Sequence, residues 1–217
     1  MKKEHNRKKI GGMSANRLMP PILVVLAVLH AAIIALIVMI NGSSGSLSAI
    51  MQNAGLYTQD ATSLLAGSSL LSETSTNFIL LPTDEAGEVN VGPLVAYANE
   101  LGSPEHRGEA VLAKFETYDV APDTVALIAS AADSANAMIE AQVHAITLMR
   151  QVYPLPPIES LAAIPEAELT EAELSMSDEE KIGAARQLVL GTEYGQYKNN
   201  VTTGVNGAVG RLQAGSA

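Results

Sequence analysis

An uninterrupted apolar run near the N-terminus constrains this chain more than any other feature. Residues 22–40 comprise thirteen Ile, Leu or Val, four Ala, one Met and one His, and carry no formal charge. At about 1.5 Å of rise per residue, a helix of this length spans roughly 28 Å, which is close to the hydrocarbon thickness of a bilayer. We therefore predict a transmembrane helix over residues 21–41, in contact with the lipid bilayer.

The charges around this run predict its orientation. Six Lys or Arg residues precede it, opposed only by Glu4, and the next cation is Arg107. Positive charge close to a span favours the cytoplasmic side. We therefore expect a cytoplasmic tail over residues 1–20, an extracytoplasmic domain over residues 42–217, and a single-pass protein of the cell membrane. A cleaved signal peptide is the alternative, but its apolar core is normally shorter, at about 7–15 residues.

The composition after the run limits the class of protein. Residues 41–217 carry 22 acidic and 7 basic side chains, and a negative surface of this kind repels phosphate, so we expect no nucleic-acid partner. The chain has no Cys, which excludes disulfides and Cys-based zinc sites. Its apolar residues are mainly small aliphatics at helical spacing, which predicts an all-α fold.

Apolar residues three and four apart predict four long helices after the run, over residues 46–81, 92–118, 121–153 and 177–212. Pro82 ends the first helix, and a break is expected at Gly102 in the second. Ser177 begins the fourth with an S-x-x-E capping box, and residues 191–194 could form a kink. The expected architecture is an N-terminal transmembrane helix followed by an antiparallel four-helix-bundle-like sensor domain.

Four polar residues are candidates for ligand binding. Gln142 falls in the apolar seam of the third helix, and His144 lies beside that seam on the face shared with Glu140. Arg107 is the first cation after a long acidic stretch and could bind a carboxylate through two guanidinium nitrogens. Asn77 closes a small, polar stretch near the end of the first helix.

Simpler interpretations compete with these. Arg107 could pair with Glu105 or Glu109 at the surface, and His144 with Glu140 on a half-exposed helix face. The sequence contains no nucleophile elbow, phosphate-binding loop, zinc signature or paired-carboxylate cleft. We therefore expect no enzyme, no catalytic residue, no metal and no cofactor.

Two short stretches are small and polar: Ser72-Glu73-Thr74-Ser75-Thr76-Asn77 near the end of the first helix and Asp133-Ser134-Ala135-Asn136-Ala137 within the third. With the basic N-terminus and the single apolar run, this layout resembles the sensory region of bacterial chemoreceptors (methyl-accepting chemotaxis proteins) and sensor histidine kinases. The resemblance implies a homodimer that senses a small molecule or an extracytoplasmic partner protein. It also implies a second span and an output module, so we expect a fragment of a longer receptor. The alternative is a membrane-anchored helical interaction or scaffold protein.

Overall fold

The computed structural model describes residues 52–103 and 107–215, which belong to one compact unit, Gln52–Ala217. The described residues form an all-α fold without strands, as predicted. In chain order the helical segments are α1 (helical residues 52–80), α2 (Gly92–Leu101), α3 (Gly108–Thr117), α4 (Pro122–Val152), a 3-10 helix (Glu159–Ala163), α5 (Glu171–Leu174), α6 (Asp178–Leu190) and α7 (Thr192–Gly215).

Local sequence signals determine where these helices end. α1 ends before Pro82 and α2 ends before Gly102, while Gly191 separates α6 from α7. The capping box at the start of α6 is confirmed, because the Ser177 hydroxyl accepts from the Glu180 backbone N–H at 3.3 Å. In return, the Glu180 carboxylate accepts from the Ser177 N–H at 2.8 Å. These bonds satisfy N–H groups that a helix start leaves without partners.

α4 is the central helix of the fold. It packs against α3, α6 and α7, and α1 contributes to both hydrophobic clusters that surround it. The cluster around the N-terminal half of α4 includes Leu64, Phe115, Ile128, Val201 and Val205. The cluster around its C-terminal half includes Phe78, Leu94, Ile146, Met149 and Val189. Each fully buried side chain of this size contributes roughly 1.5–3 kcal/mol to folding.

Contacts along α4 give the directions of its neighbours. Arg211, close to the end of α7, forms an ion pair with Asp123 in the first turn of α4. Tyr194, close to the start of α7, bonds to Gln142 in the second half of α4. α7 therefore runs antiparallel to α4. α1 runs in the same direction as α4, because its first half joins the first cluster and its second half joins the other.

None of the helices in the described part of the chain is long and apolar enough to cross a membrane. α4 has the length, at 31 residues, but it includes Asp133, Glu140 and Gln142. The predicted localisation, a single-pass protein of the cell membrane with an extracytoplasmic C-terminal domain, is contradicted by this finding, and we do not retain it. The segment on which that prediction depended, residues 21–41, lies outside the described residues, as does the tail over residues 1–20.

Two glycines allow other helices to approach α4 closely. A Cβ atom on Gly204 of α7 would lie 2.8 Å from the Leu127 carbonyl oxygen and 3.0 Å from the Ala131 Cβ. A Cβ atom on Gly108 of α3 would lie 2.9 Å from the Ala132 Cα. Because these positions face backbone or a rigid methyl group, a side chain there would force the helices apart.

We expect Gly204→Ala to lower the free energy of unfolding by roughly 1–3 kcal/mol, as overpacking does in a dense core. Gly210→Ala on the same helix is the matched control, because a Cβ there meets nothing within 4 Å. It should raise the free energy of unfolding by up to about 1 kcal/mol through helix propensity. Urea unfolding followed by circular dichroism measures both, and equal effects would contradict the close approach of α7 to α4.

A polar contact around Asp60 joins α1 to α3. The Asp60 carboxylate accepts hydrogen bonds from Lys114 Nζ at 2.6 Å and from the Tyr118 hydroxyl. Tyr118 also stacks on Tyr57, with ring centroids 4.0 Å apart. Burial and the hydrogen bond to the Asp60 carboxylate raise the pKa of Tyr118 to about 12, because both disfavour the phenolate.

This raised pKa predicts a loss of stability in alkali. The folded state favours the protonated Tyr118 hydroxyl. The contribution of this hydroxyl to the free energy of unfolding is therefore complete below the ordinary pKa of 10.0 and is lost as the pH rises to about 12. The difference between tyrosinate absorbance titrations of the wild type and Tyr118→Phe should have its midpoint near 12. A midpoint near 10 would show that Asp60 does not hold this hydroxyl.

Candidate functional site

A cleft of about 340 Å³ opens where α4, α6 and α7 meet. Small-molecule sites commonly have volumes of about 300–1,000 Å³, so this cleft could hold a compact ligand. Its polar lining residues are Glu140, His144, Gln187, Glu193, Tyr194 and Tyr197. Of the four candidate residues from the sequence, His144 lines the cleft directly.

The joint between α6 and α7 shapes one side of the cleft. Gly191 lies in this joint with an extended backbone, and its N–H donates to the Gln187 carbonyl oxygen at 2.9 Å. A Cβ atom on Gly191 would lie 2.4 Å from that oxygen and 2.7 Å from the Gln187 side-chain nitrogen. A residue other than glycine would therefore distort the joint, and the kink considered from the sequence is confirmed here.

Tyr194 closes the inner side of the cleft and links it to the core. Its side chain is 3 % exposed, and its hydroxyl accepts a hydrogen bond from Gln142 Nε2 at 2.5 Å. Burial raises the pKa of Tyr194, while hydrogen bonds with Ser72, Gln142 and Ser75 act in the opposite direction. Gln142 thus reaches the cleft through Tyr194. From the sequence, Tyr194 was expected in the apolar face of its helix and in the kink over residues 191–194.

A polar layer, formed by Ser72, Ser75, Tyr97, Gln142 and Tyr194, lies behind this side of the cleft. Two of its buried atoms, the Tyr97 hydroxyl oxygen and Gln142 Oε1, have no hydrogen-bond partner. Burial raises the pKa of Tyr97 strongly, and Tyr194 adds to the effect. An unpaired buried polar group costs about 1–3 kcal/mol, so the layer is less stable than a fully bonded one.

His144 joins the cleft to α5. Its Nε2 lies 2.7 Å from Glu173 Oε1, so the partner of His144 is Glu173 and not Glu140 as considered from the sequence. The other Glu173 oxygen accepts from the backbone N–H and the hydroxyl of Thr170, both at 2.8 Å. These bonds to Thr170, and to a lesser degree the one to His144, lower the pKa of Glu173.

The remaining two candidate residues lie elsewhere. Asn77 is exposed on α1 and does not line the cleft. Arg107 is also exposed, and its Nε and Nη2 donate to the Leu101 carbonyl oxygen at 3.2 and 3.0 Å. Arg107 therefore closes the C-terminal end of α2, where a cation is favourable. The structure places Gln142 against Tyr194 and His144 in the lining of the same cleft, but it does not add Asn77 or Arg107 to them.

Three of the residues that matter here were missed from the sequence. Tyr194, Glu193 and Tyr197 belong to a glycine-rich helix, where they were considered only as parts of an apolar face or a kink. The Thr170 capping box had a readable signal, because Thr170-Glu171-Ala172-Glu173 fits the T-x-x-E pattern. Nothing in the sequence connects Glu173 to His144, which lies 29 residues away.

Comparisons with known proteins found no matching family model, no similar curated protein and no similar solved structure. The resemblance to sensory regions of bacterial receptors therefore stays a prediction. What the site can do has to be inferred from its geometry.

The polar layer predicts opposite effects for two similar substitutions. Tyr194→Phe removes a bonded hydroxyl and leaves the Gln142 amide without its partner, so it should lower the free energy of unfolding by about 1–3 kcal/mol. Tyr97→Phe removes a buried hydroxyl that has no partner, so it should leave stability unchanged or increase it. Chemical unfolding of both variants measures the difference, and a larger loss for Tyr97→Phe would contradict the hydrogen-bond assignment.

Proposed function

We propose that this chain contains a ligand-sensing domain of a signalling receptor, and that the cleft between α4, α6 and α7 is its ligand site. The observation that carries the proposal is the position of the cleft at the joint of two helices that both pack on the central one. A ligand held there touches three helices at once. It can therefore favour one arrangement of them over another, which is how binding biases a two-state equilibrium.

The helix order is compatible with an antiparallel four-helix-bundle-like arrangement. In this proposal α1 and α4 are two of the four long members, and α2 with α3 and α6 with α7 are two interrupted ones. The antiparallel direction of α7 against α4 supports it, as do the hydrophobic clusters shared along both halves of α4. Small sliding motions of packed helices are a common signalling change in such domains.

The polar layer supports a movable arrangement near the cleft. Tyr194 contacts α4 through Gln142 and α1 through Ser72 and Ser75. Since two atoms of this layer lack partners, a shift of α7 would break few favourable bonds and could form new ones. A ligand against Tyr194 would thus act on α1 and α4 together.

A cleft-filling variant tests this function. A fragment library is screened against the full chain by saturation-transfer NMR, and hits are repeated on Ala137→Leu, which adds bulk to a lining residue. Ala113→Leu on exposed α3 surface is the matched control. We expect hits that bind Ala113→Leu as they bind the wild type. The same hits should bind Ala137→Leu about tenfold or more weakly. A library without hits, or hits that bind both variants equally, would contradict a ligand site in this cleft.

One observation favours the alternative, an interaction or scaffold protein. Four of the large exposed hydrophobic residues lie on α1 or directly after it: Leu56, Leu70, Leu80 and Leu81. Exposed apolar side chains on one helix are typical of surfaces that a partner or a second copy covers. In this alternative the homodimer expected from the resemblance would form through α1. Light scattering of the full chain tests it, with Leu70→Lys expected to dissociate such a dimer.

A further inference from the structure

The charges that line the cleft restrict the ligand that it can accept. Glu140 of α4 and Glu193 of α7 contribute two carboxylates from opposite helices. Neither forms an ion pair among the described residues, and no Lys or Arg is among the described residues that line the cleft. An anion would therefore meet uncompensated negative charge there, whereas a cation would find two partners.

Tyr197 lines the cleft together with both carboxylates. Its hydroxyl donates to Glu193 Oε1 at 2.6 Å, across one helical turn. The hydrogen bond to Glu193 raises the pKa of Tyr197, as do burial and the charges of Glu193 and Glu140, and Glu140 lines the same cleft from α4. The cleft thus combines two carboxylates from two helices with the aromatic ring of Tyr197.

An aromatic side chain completes a site suited to an organic cation. Tyr197 lines the cleft and is partly exposed, and ammonium groups bind favourably over the faces of tyrosine rings. Tyr194 is 3 % exposed, so its ring forms part of the wall of the cleft. A bare metal ion fits less well, because the described residues contain no group of three or more His, Asp or Glu side chains that could hold one. The His144 imidazole is paired with Glu173 at 2.7 Å, so it is not a partner of Glu140 or Glu193.

From these observations we propose that the cleft binds a small organic cation with an ammonium group, held by Glu140 and Glu193 against the ring of Tyr197. This inference rests on the proposed ligand-sensing function and names the chemical class of its ligand. The formal charge of the chain, −10 at pH 7, also attracts cations to the surface and raises their rate of encounter.

A pair of isosteric probes tests the charge preference. Choline and its neutral isostere 3,3-dimethylbutan-1-ol have nearly the same shape, so a difference in their binding reports the positive charge. Titrations of the full chain are followed by ligand-observed NMR. We expect choline to bind about tenfold or more tightly than the neutral probe, and its affinity to fall at high salt.

Charge-removing variants locate the site. Glu140→Gln and Glu193→Gln should each weaken choline binding by about fivefold or more, because each removes one carboxylate without changing the volume of the side chain. Glu116→Gln, on exposed α3 surface, is the matched control and should bind choline as the wild type does. Circular dichroism of each variant confirms that the helical fold is kept.

The outcomes separate this inference from the proposed function. Equal binding of both probes, lost in Ala137→Leu, would overturn the charge preference and leave the cleft as a ligand site. Undetectable choline binding would overturn the inference, and the fragment screen would then decide the proposed function independently. Choline binding that Glu140→Gln, Glu193→Gln and Glu116→Gln all weaken equally would show surface attraction only, which also overturns the assignment to the cleft.

Discussion

The packing of α4 by other helices on nearly all sides is the constraint on which the rest of this structure depends. Between residues 142 and 149, every side chain except that of His144 is buried. In the Ala-rich N-terminal half of α4, Gly204 and Gly108 allow α7 and α3 to approach it closely. The cleft lies on the side of His144, where the cover of α4 is interrupted because α6 and α7 meet at an angle set by Gly191.

The polar layer connects the cleft to the core. The unpaired Tyr97 hydroxyl and Gln142 amide oxygen both cost free energy in this core. The bonds from Tyr194 to Gln142 and to the serines of α1 compensate for part of this cost. A partly satisfied layer between two well-packed hydrophobic clusters is therefore the place where alternative arrangements of α7 are least costly.

Local signals in the sequence were sufficient for the all-α fold and for most helix ends. Proline, glycine and the Ser177 capping box act within a few residues, so their effects can be predicted without tertiary contacts. The same reasoning placed Gln142 in a buried seam, which is confirmed. The predicted localisation is wrong, because none of the described helices can cross a membrane. That prediction depended on residues 21–41, which lie outside the described part of the chain.

The site was harder to predict because its parts are distant in sequence. From its residue type, Arg107 was a candidate for binding a carboxylate. Its guanidinium instead donates to a backbone carbonyl at the end of α2, and the cleft is lined by carboxylates. Tyr194 comes 52 residues after Gln142, on a helix whose glycines lower its intrinsic helix propensity. Two of its glycines, Gly204 and Gly207, lie against Leu127 of α4, and Tyr194 of the same helix bonds to the Gln142 amide. The chemistry of the cleft therefore follows from helix packing. Arg107 suggested a site for an anion, but the cleft is negatively charged because the joint at Gly191 brings carboxylates into it.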